Sequence, residues 1–418
     1  MNGLEFFVNA FFDALDASLG VAPYYLPLFA ALFFGKTWAH YVSSLFLSNL
    51  EMIVLEVRLP KEIFKSPRAM EIAVGAFHQA SPTFSFKLSD LYNFYWEGKS
   101  RPVSSLEIVS LGGKLKFYLH IRKNLKNVVE SQIYAQYPEV EIHEAEDYTP
   151  KVPYGAENSN WDLWGTEYKL SKEDPYPIKT YIDYGLDKDP KEEYKTDPLT
   201  SILEFMGSIG PAEQVWFQIM VMATTERFQK PKSWFGRQDW KEEGKALVEK
   251  LMKRDIFKDL APGQVINIGE TVLSPGERVV VEAVERNISK IGFDCGVRAL
   301  YLAPKDKFNP TNIGGLINLL KSFGTLNLNG FRITRYVGAG LELPWQDPFG
   351  IRKIKQKRGI FEAYCKRGWF FPPYDRRPFV LNSEELATVY HFPGQTAETP
   401  TLGRIEAKRG EAPVNLPV

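Results

Sequence analysis

The chain has 418 residues, and its 51 basic and 51 acidic side chains give a formal net charge of +0. This balance excludes a global attraction to nucleic acid or to anionic lipid, so any such binding has to come from a local patch. The two cysteines, Cys295 and Cys365, exclude a disulfide framework and a four-thiolate metal site, and they fit a reducing cytoplasm.

The N-terminal part contains an uncharged run from Ala17 to Gly35. A helix that crosses a bilayer core of about 30 Å needs roughly 20 apolar residues, so the run predicts one transmembrane span within residues 1–50, preceded by a short amphipathic helix. Acidic residues precede the run and basic ones follow it, which predicts an inner-membrane protein with its C-terminal bulk in the cytoplasm. The alternative is a buried core helix, which Pro23 and Pro27 favour.

Residues 51–150 predict a first α+β domain. A β-branched run is followed by a helix that opens with Ser66-Pro67, and two further strands flank the turn signal Gly112-Gly113. A second helix and a last strand complete the order βαββαβ, which is that of a ferredoxin-like domain. The predicted segments are Glu51–Leu59, Ser66–Gln79, Ser105–Ser110, Lys114–Arg122, Asn124–Tyr137 and Val140–Ala145.

Residues 151–195 are rich in Pro, Tyr, Asp and Lys and predict a linker with short strands at most. Residues 196–335 repeat the first domain in looser form, which predicts a second ferredoxin-like domain with a helical insertion at about 226–275. An unrelated α+β domain is the alternative. The predicted fold class is therefore α+β, with an N-terminal transmembrane helix, two ferredoxin-like domains and an extended C-terminal tail.

The tail, residues 336–418, contains a short helix that Asn382 and Glu385 predict through a capping box. It also contains a basic stretch with interleaved aromatic residues, a pattern that suits phosphates and stacked bases. A solvated basic helix, a membrane-facing patch and a docking surface for an acidic protein are the alternatives. The candidate binding residues are Arg352, Lys353, Lys355, Lys357, Arg358, Lys366, Arg367, Trp369 and Phe370.

Motifs for catalysis and for cofactors are absent from the sequence. The P-loop pattern is missing, because Gly244-Lys245-Ala246 lacks the hydroxyl that binds magnesium. The five histidines show no metal-site spacing, and no Gly-x-Ser-x-Gly elbow is present. We therefore expect no catalytic site, no cofactor and no metal, and we expect the protein not to be an enzyme.

Three blocks of the sequence resemble the N-terminal, non-motor part of bacterial type IV secretion and conjugation ATPases of the coupling-protein kind. They are residues 55–74 (LEVRLPKEIFKSPRAMEIAV), residues 104–148 and residues 377–417. In longer members of that family a RecA-like motor follows the last block, whereas this chain stops at Val418. No Walker lysine or acidic magnesium ligand can be carried over, so the motor is a separate protein or belongs to a missing C-terminal domain.

The resemblance implies a membrane-anchored, non-catalytic component of a DNA- or protein-translocation machine. Its expected role is to dock a hexameric motor ATPase at the inner membrane, as a homo-oligomer when assembled with the motor. The alternative is a membrane-tethered nucleic-acid-binding module that acts without a motor, with DNA bound by the basic stretch.

Overall fold

The structure, a computed structural model, describes residues 3–60, 63, 65–78, 92–155, 159–187, 197–224, 228–229, 237–252, 273–341, 343–394 and 404–405. It divides into two compact units. The first contains Met1–Leu50 and Pro82–Arg101, and the second contains Glu51–Ser81 and Pro102–Val418.

The first unit is built on one long helix, α1 (Gly3–Ser48), which contains both Pro23 and Pro27. A π-helical turn, Asn93–Glu97, packs against the C-terminal part of α1. The Trp38 indole Nε1 donates a hydrogen bond of 2.8 Å to the Tyr95 carbonyl. The helix therefore continues well past the predicted amphipathic segment and the predicted span without a break.

The predicted transmembrane span is wrong. In the part of the chain that the structure describes, no helix is both long enough and apolar enough to cross a membrane. Gly20, Pro23, Tyr24 and Pro27 interrupt the leucines and phenylalanines of the run, and Lys36 ends it.

The second unit is organised around a ten-stranded sheet. Beside it lies a separate two-stranded hairpin of β7 and β8. The strands are β1 (Met52–Pro60), β2 (Val103–Leu111), β3 (Lys114–Arg122), β4 (Glu141–Ala145), β5 (Trp161–Leu170), β6 (Gln214–Ala223), β7 (Phe228–Gln229), β8 (Arg237–Gln238), β9 (Gly292–Pro304), β10 (Phe331–Tyr336), β11 (Phe379–Asn382) and β12 (Arg404–Ile405).

Helices cover both faces of this sheet. Their N-termini carry the expected signals, for example Asp197 and the Ser274–Glu277 capping box. They are α2 (Pro67–Val74), α3 (Lys126–Gln136), α4 (Pro198–Gly207), α5 (Trp240–Leu251), α6 (Pro275–Ser289), α7 (Thr311–Asn318), α8 (Ile351–Cys365) and α9 (Ser383–Val389).

Eight of the strands form two halves, β4-β1-β3-β2 and β10-β5-β9-β6 in spatial order. In both halves the strand that comes first in the chain lies between the fourth and the third. The halves join where β2 pairs with β6 along its whole length, from Val103↔Met222 to Leu111↔Gln214. At the hairpin between β2 and β3, Gly112 and Gly113 adopt φ values of 61° and 82°, which explains why glycine stands there.

The prediction of two ferredoxin-like domains is wrong. The β2–β6 pairing makes one continuous sheet, and a single hydrophobic core includes residues from Ile53 to Phe392. Hydrophobic periodicity predicts the strands of residues 51–150 but not their partners across the molecule. The fold is therefore α+β with one shared sheet, and the elements of residues 51–150 lie close to the predicted segments.

The predicted linker and the predicted tail are both part of this core. β5 lies inside 151–195 and pairs with β9 on one side and β10 on the other. In the tail, β11 pairs with β9, and every residue of α9 is buried. Most of the predicted insertion at 226–275 and the chain beyond residue 394, apart from β12, lie outside the described residues.

Different segments of the chain pack on the two faces of the sheet. On one face the Phe117 ring meets those of Tyr390 and Phe392 beside α9, with centroids 5.9 and 5.7 Å away. On the other face Trp216 packs against Phe361 and Tyr364 of α8. The candidate site lies on this second face, which we call the α8 face.

Candidate functional site: a buried polar row and an arginine groove

A continuous row of polar side chains crosses the sheet on the α8 face. Each residue of the row lies directly opposite the next one, which is on the neighbouring strand, and the row runs from β4 at one end to β10 at the other. The row is His143, Glu56, Tyr118, Glu107, Gln218, Arg298, Glu167 and Arg335. Buried polar groups are costly unless they are hydrogen-bonded, so such a row needs partners from the elements that cover it.

Glu107 lies in the middle of the row and is fully buried. Its Oε1 accepts hydrogen bonds from Ser105 Oγ (2.7 Å), Gln218 Nε2 (2.8 Å) and Arg367 Nε (3.1 Å). Its Oε2 accepts one from the Tyr148 hydroxyl at 2.8 Å. Burial is the largest single effect and favours the neutral acid, but the Arg367 guanidinium, with smaller contributions from other groups including the Ser105 hydrogen bond, lowers the pKa of the Glu107 carboxyl.

Arg367 anchors the C-terminal end of α8, the helix that packs over the row. It follows α8 with φ 48°, and its guanidinium contacts Glu107, Asp147 and the Cys365 carbonyl, which is 2.9 Å from Nη1. The residue is only 8% exposed. Arg367 is therefore a buried structural cation and is not available to a partner as the sequence predicted.

Arg298 continues the row towards β10 and is also fully buried. Its Nη2 donates to the Gly368 carbonyl, while Nε and Nη1 are buried without a hydrogen-bond partner in the described part of the chain. The Trp369 ring lies 4.9 Å from the guanidinium carbon. Burial lowers the pKa of Arg298 to about 10.

Trp369 is the second candidate residue that the structure places in the interior. It is 3% exposed and lies over Gly296, where a Cβ atom would come within 2.1 Å of the ring. The glycine is required because the indole occupies the space of a side chain. Trp369 consequently cannot serve as an exposed platform for a stacked base.

The row opens to solvent at the β10 edge of the sheet, in what we call the arginine groove. Two cavities of about 540 and 530 Å³ share Glu167, Arg335 and Arg376 in their walls. The first lies between β10 and α8 and adds Arg352 and Lys355. The second lies between β10, the end of β5 and the segment before β11. Its further lining includes Arg332, Arg377 and Trp369.

The charge of the groove is mostly positive. Glu167 is 3.5 Å from Arg376 Nε and is buried, so it balances one of the arginines. Three further acids, Glu173, Asp174 and Glu243, line the second cavity. Like every guanidinium, those of the arginines other than Arg376 are planar, and such groups bind carboxylate or phosphate through two hydrogen bonds at once.

Only part of the predicted binding set lines the groove. Arg352, Lys355 and the buried Trp369 do, whereas Lys353, Arg358 and Lys366 are exposed and line neither of the two cavities. Phe370 is half-buried. The remaining candidate, Lys357, pairs with Asp162 of β5 and so anchors α8 to the sheet.

Sequence reasoning missed Arg332 and Arg335, which come from a strand, and two aromatic residues before α8. Trp345 is 72% exposed and Phe349 is 82% exposed. A signal for these aromatics existed, because they stand in LPWQDPFG, a turn-rich segment with no periodic partner in a core. No signal in the sequence links Arg332 and Arg335 to α8.

Metal ligation and thiol chemistry have little support in this region. Among the described residues, no group of three or more His, Cys, Asp or Glu side chains could hold a metal ion. Cys295 is buried, and burial raises the pKa of the Cys365 thiol to about 11. The chemistry that the site offers is recognition of anions by arginine.

A protein-family model described as a domain of unknown function (DUF8128) matches residues 90–404. The chain belongs to this family. The match runs from before β2 to β12, so it takes in the arginine groove and the Glu107–Arg367 contact. Among curated proteins, none matches the chain.

Proposed function

We propose that this DUF8128 protein is a non-catalytic component of a DNA- or protein-translocation machine of the type IV secretion or conjugation kind. Its role is to dock the motor ATPase through the arginine groove. The observation that carries the proposal is the groove itself, whose walls bring Arg332, Arg335, Arg352 and Lys355 together from β10 and α8. Such a surface attracts an acidic partner and speeds its association.

The structure of the tail adds support to this proposal. The resembling block at residues 377–417 precedes the motor in longer relatives of that kind, and its first part is the buried β11–α9 segment. A motor that follows or contacts this block would lie beside a rigid element of the sheet. Because motors of that kind are hexameric, docking brings several copies together, and we include a homo-oligomer formed with the motor in the proposal.

The test is association with the motor ATPase after charge reversal in the groove. The variant Arg332→Glu, Arg335→Glu, Lys355→Glu should lose co-purification with the ATPase from the native cells. The matched control changes Lys65, Lys114 and Lys307 to Glu, three exposed cations outside the groove. Unchanged co-purification by the groove variant would refute motor docking through this surface.

A second function, nucleic-acid binding, is favoured by one observation. Trp345 and Phe349 are exposed immediately before α8, whose first turns carry Arg352 and Lys355. Exposed aromatics beside cations bind single strands by stacking, worth about 1–3 kcal/mol per base. In that case Trp345→Ala with Phe349→Ala weakens binding to a single-stranded oligonucleotide more than to a duplex.

Salt dependence separates the two functions. Phosphate contacts lower the affinity for single strands with a log–log slope of about −0.7 per contact. Salt-sensitive binding of an oligonucleotide that the groove variant abolishes, together with unchanged association with the ATPase, would replace docking by nucleic-acid binding.

A further inference from the structure

The strand β10 forms one wall of the arginine groove and has an outer edge. In the described part of the chain β10 is the last strand on its side of the sheet, paired only with β5. None of its residues is buried, and Arg332 and Arg335 are its exposed ones. Its outward backbone groups are thus a template for another strand.

A bulge sets the direction of the two arginines. Arg332 lies opposite Lys169 and Arg335 opposite Glu167, with the register shift between Ile333 and Arg335. Two residues that are three apart in a regular strand point to opposite faces, and the extra residue of the bulge returns them to the same face. Both arginines therefore stand on the α8 face, at the edge where a further strand would place alternate side chains.

The cations beside β10 select the charge of the added strand. Arg332 and Arg335 line the second cavity together with Arg376 and Arg377, and guanidinium groups bind carboxylates through paired hydrogen bonds. A carboxylate is therefore the side-chain group that neutralises the arginines of this edge.

We propose that β10 binds an extended acidic peptide segment as an added strand, whose carboxylates at alternate positions pair with Arg332 and Arg335. Backbone hydrogen bonds to an edge strand supply affinity, and the side chains on one face supply specificity. The same arginines repel the β10 edge of a second copy, so the edge selects an acidic partner and opposes self-pairing. The identity of the protein that carries the segment rests on the proposed docking function, but binding of the segment does not.

The test uses the full-length protein and three fluorescent probes measured by anisotropy. The first is a twelve-residue peptide in which glutamate alternates with valine and threonine. The second is the same peptide with two central residues replaced by proline, which removes backbone donors. The third is a thymidine oligonucleotide of equal charge. We expect the first probe to bind, the proline probe to bind about tenfold or more weakly because proline cannot complete a ladder, and the oligonucleotide to bind more weakly than the first.

Two variants assign the binding to the groove. Arg335→Glu, at an exposed position, should abolish binding of the first probe, and Arg332→Glu, at the other exposed position of β10, should weaken it severalfold. The control Lys114→Glu should bind as the unmodified protein does. Circular dichroism checks that each variant is folded.

The outcomes separate this inference from the docking function. Equal affinity for the proline probe, or tighter binding of the oligonucleotide, would overturn strand addition. Binding of the first probe that depends on Arg335, with co-purification of the ATPase unaffected by the groove variant, would uphold the edge site and refute docking. ATPase association that requires the groove, with no binding of the first probe, would uphold docking and refute the edge site.

Discussion

At the scale of single residues, the contact between Glu107 and Arg367 explains how a charged row is accommodated inside the sheet. The two side chains carry opposite charges, and the remaining lone pairs of Glu107 accept hydrogen bonds from Ser105, Gln218 and Tyr148. Removing one partner of such a pair leaves an uncompensated buried charge, which typically costs about 3–5 kcal/mol. Arg367 is therefore the position where loss of a single side chain should do most damage.

We expect Arg367→Met to destabilise the protein by about 3–5 kcal/mol near neutral pH, because both Glu107 and Asp147 lose their cation. Chemical unfolding measures the difference in the free energy of unfolding. Arg377→Met, at an exposed position, is the matched control and should stay within about 0.5 kcal/mol of the unmodified protein. A similar loss in both variants would contradict the role assigned to Arg367.

The pH dependence of this contact has a definite sign. Burial raises the pKa of Glu107 and that of Asp147, but Arg367 together with their hydrogen-bond donors lowers both values in the folded state. Their contribution is therefore complete above the ordinary carboxyl values of about 4, and it is lost as the pH falls through the lowered values. Arg367→Met removes the main opposing charge, so burial then raises the pKa of Glu107 relative to the unmodified protein. The stability difference between the two proteins should consequently shrink as the pH falls.

At the scale of elements, the residue that caps α4 also contacts a segment that is far away in the sequence. Asp197 caps the helix by accepting from the Leu199 N–H at 2.8 Å. Its other carboxylate oxygen lies 3.0 Å from His391 Nε2, beyond the end of α9. One carboxylate thus starts α4 and fixes the segment that follows α9 on the same face of the sheet.

Asp197→Asn separates these two roles, because asparagine is an equally good cap but carries no charge. Burial lowers the pKa of His391, but Asp197, together with backbone hydrogen bonds to Ala387 and Thr388, raises it above its ordinary value. The stabilisation is therefore complete below about pH 6.5 and is lost as the pH rises through the raised value. We expect the variant to lose about 1–3 kcal/mol at pH 6, and less at higher pH.

The control for this prediction is Asp239→Asn. Asp239 caps α5 by accepting from the Trp240 N–H at 2.8 Å, and among the described residues no histidine contacts it. Thermal unfolding across pH 5–9 measures both variants. A pH-independent loss in Asp197→Asn, equal to that in Asp239→Asn, would show that only the cap matters.

At the scale of the whole second unit, the two halves of the sheet depend on each other. β2 pairs with β6 along its length, and Phe117 of the first half packs on Tyr390 and Phe392 from the C-terminal segment. A half on its own exposes a long apolar edge and one uncovered face. Long exposed edges of this kind associate with other strands.

We expect residues 51–155, expressed alone, to self-associate or to aggregate. Co-expression with residues 159–394 should give a one-to-one complex, because the β2–β6 pairing and the packing on β11–α9 are then restored. Light scattering gives the stoichiometry, and hydrogen exchange reports on the amides of β2. A monomeric fragment 51–155 that unfolds cooperatively near the temperature of the full chain would support independent domains instead.

The sequence by itself determined the helices and strands of residues 51–150 and the local turn and cap signals. The Gly112-Gly113 turn and the Asn382–Glu385 capping box are confirmed, because turns and caps depend on residues within a few positions of each other. Only the tertiary structure decided which strands pair, since the polar row joins residues from Glu56 to Arg335 through register. It also moved Arg367 and Trp369 from the predicted surface to the interior, because burial depends on what another element packs on top. The bulge in β10 likewise brought Arg335 beside α8, where local pattern had no means to place it.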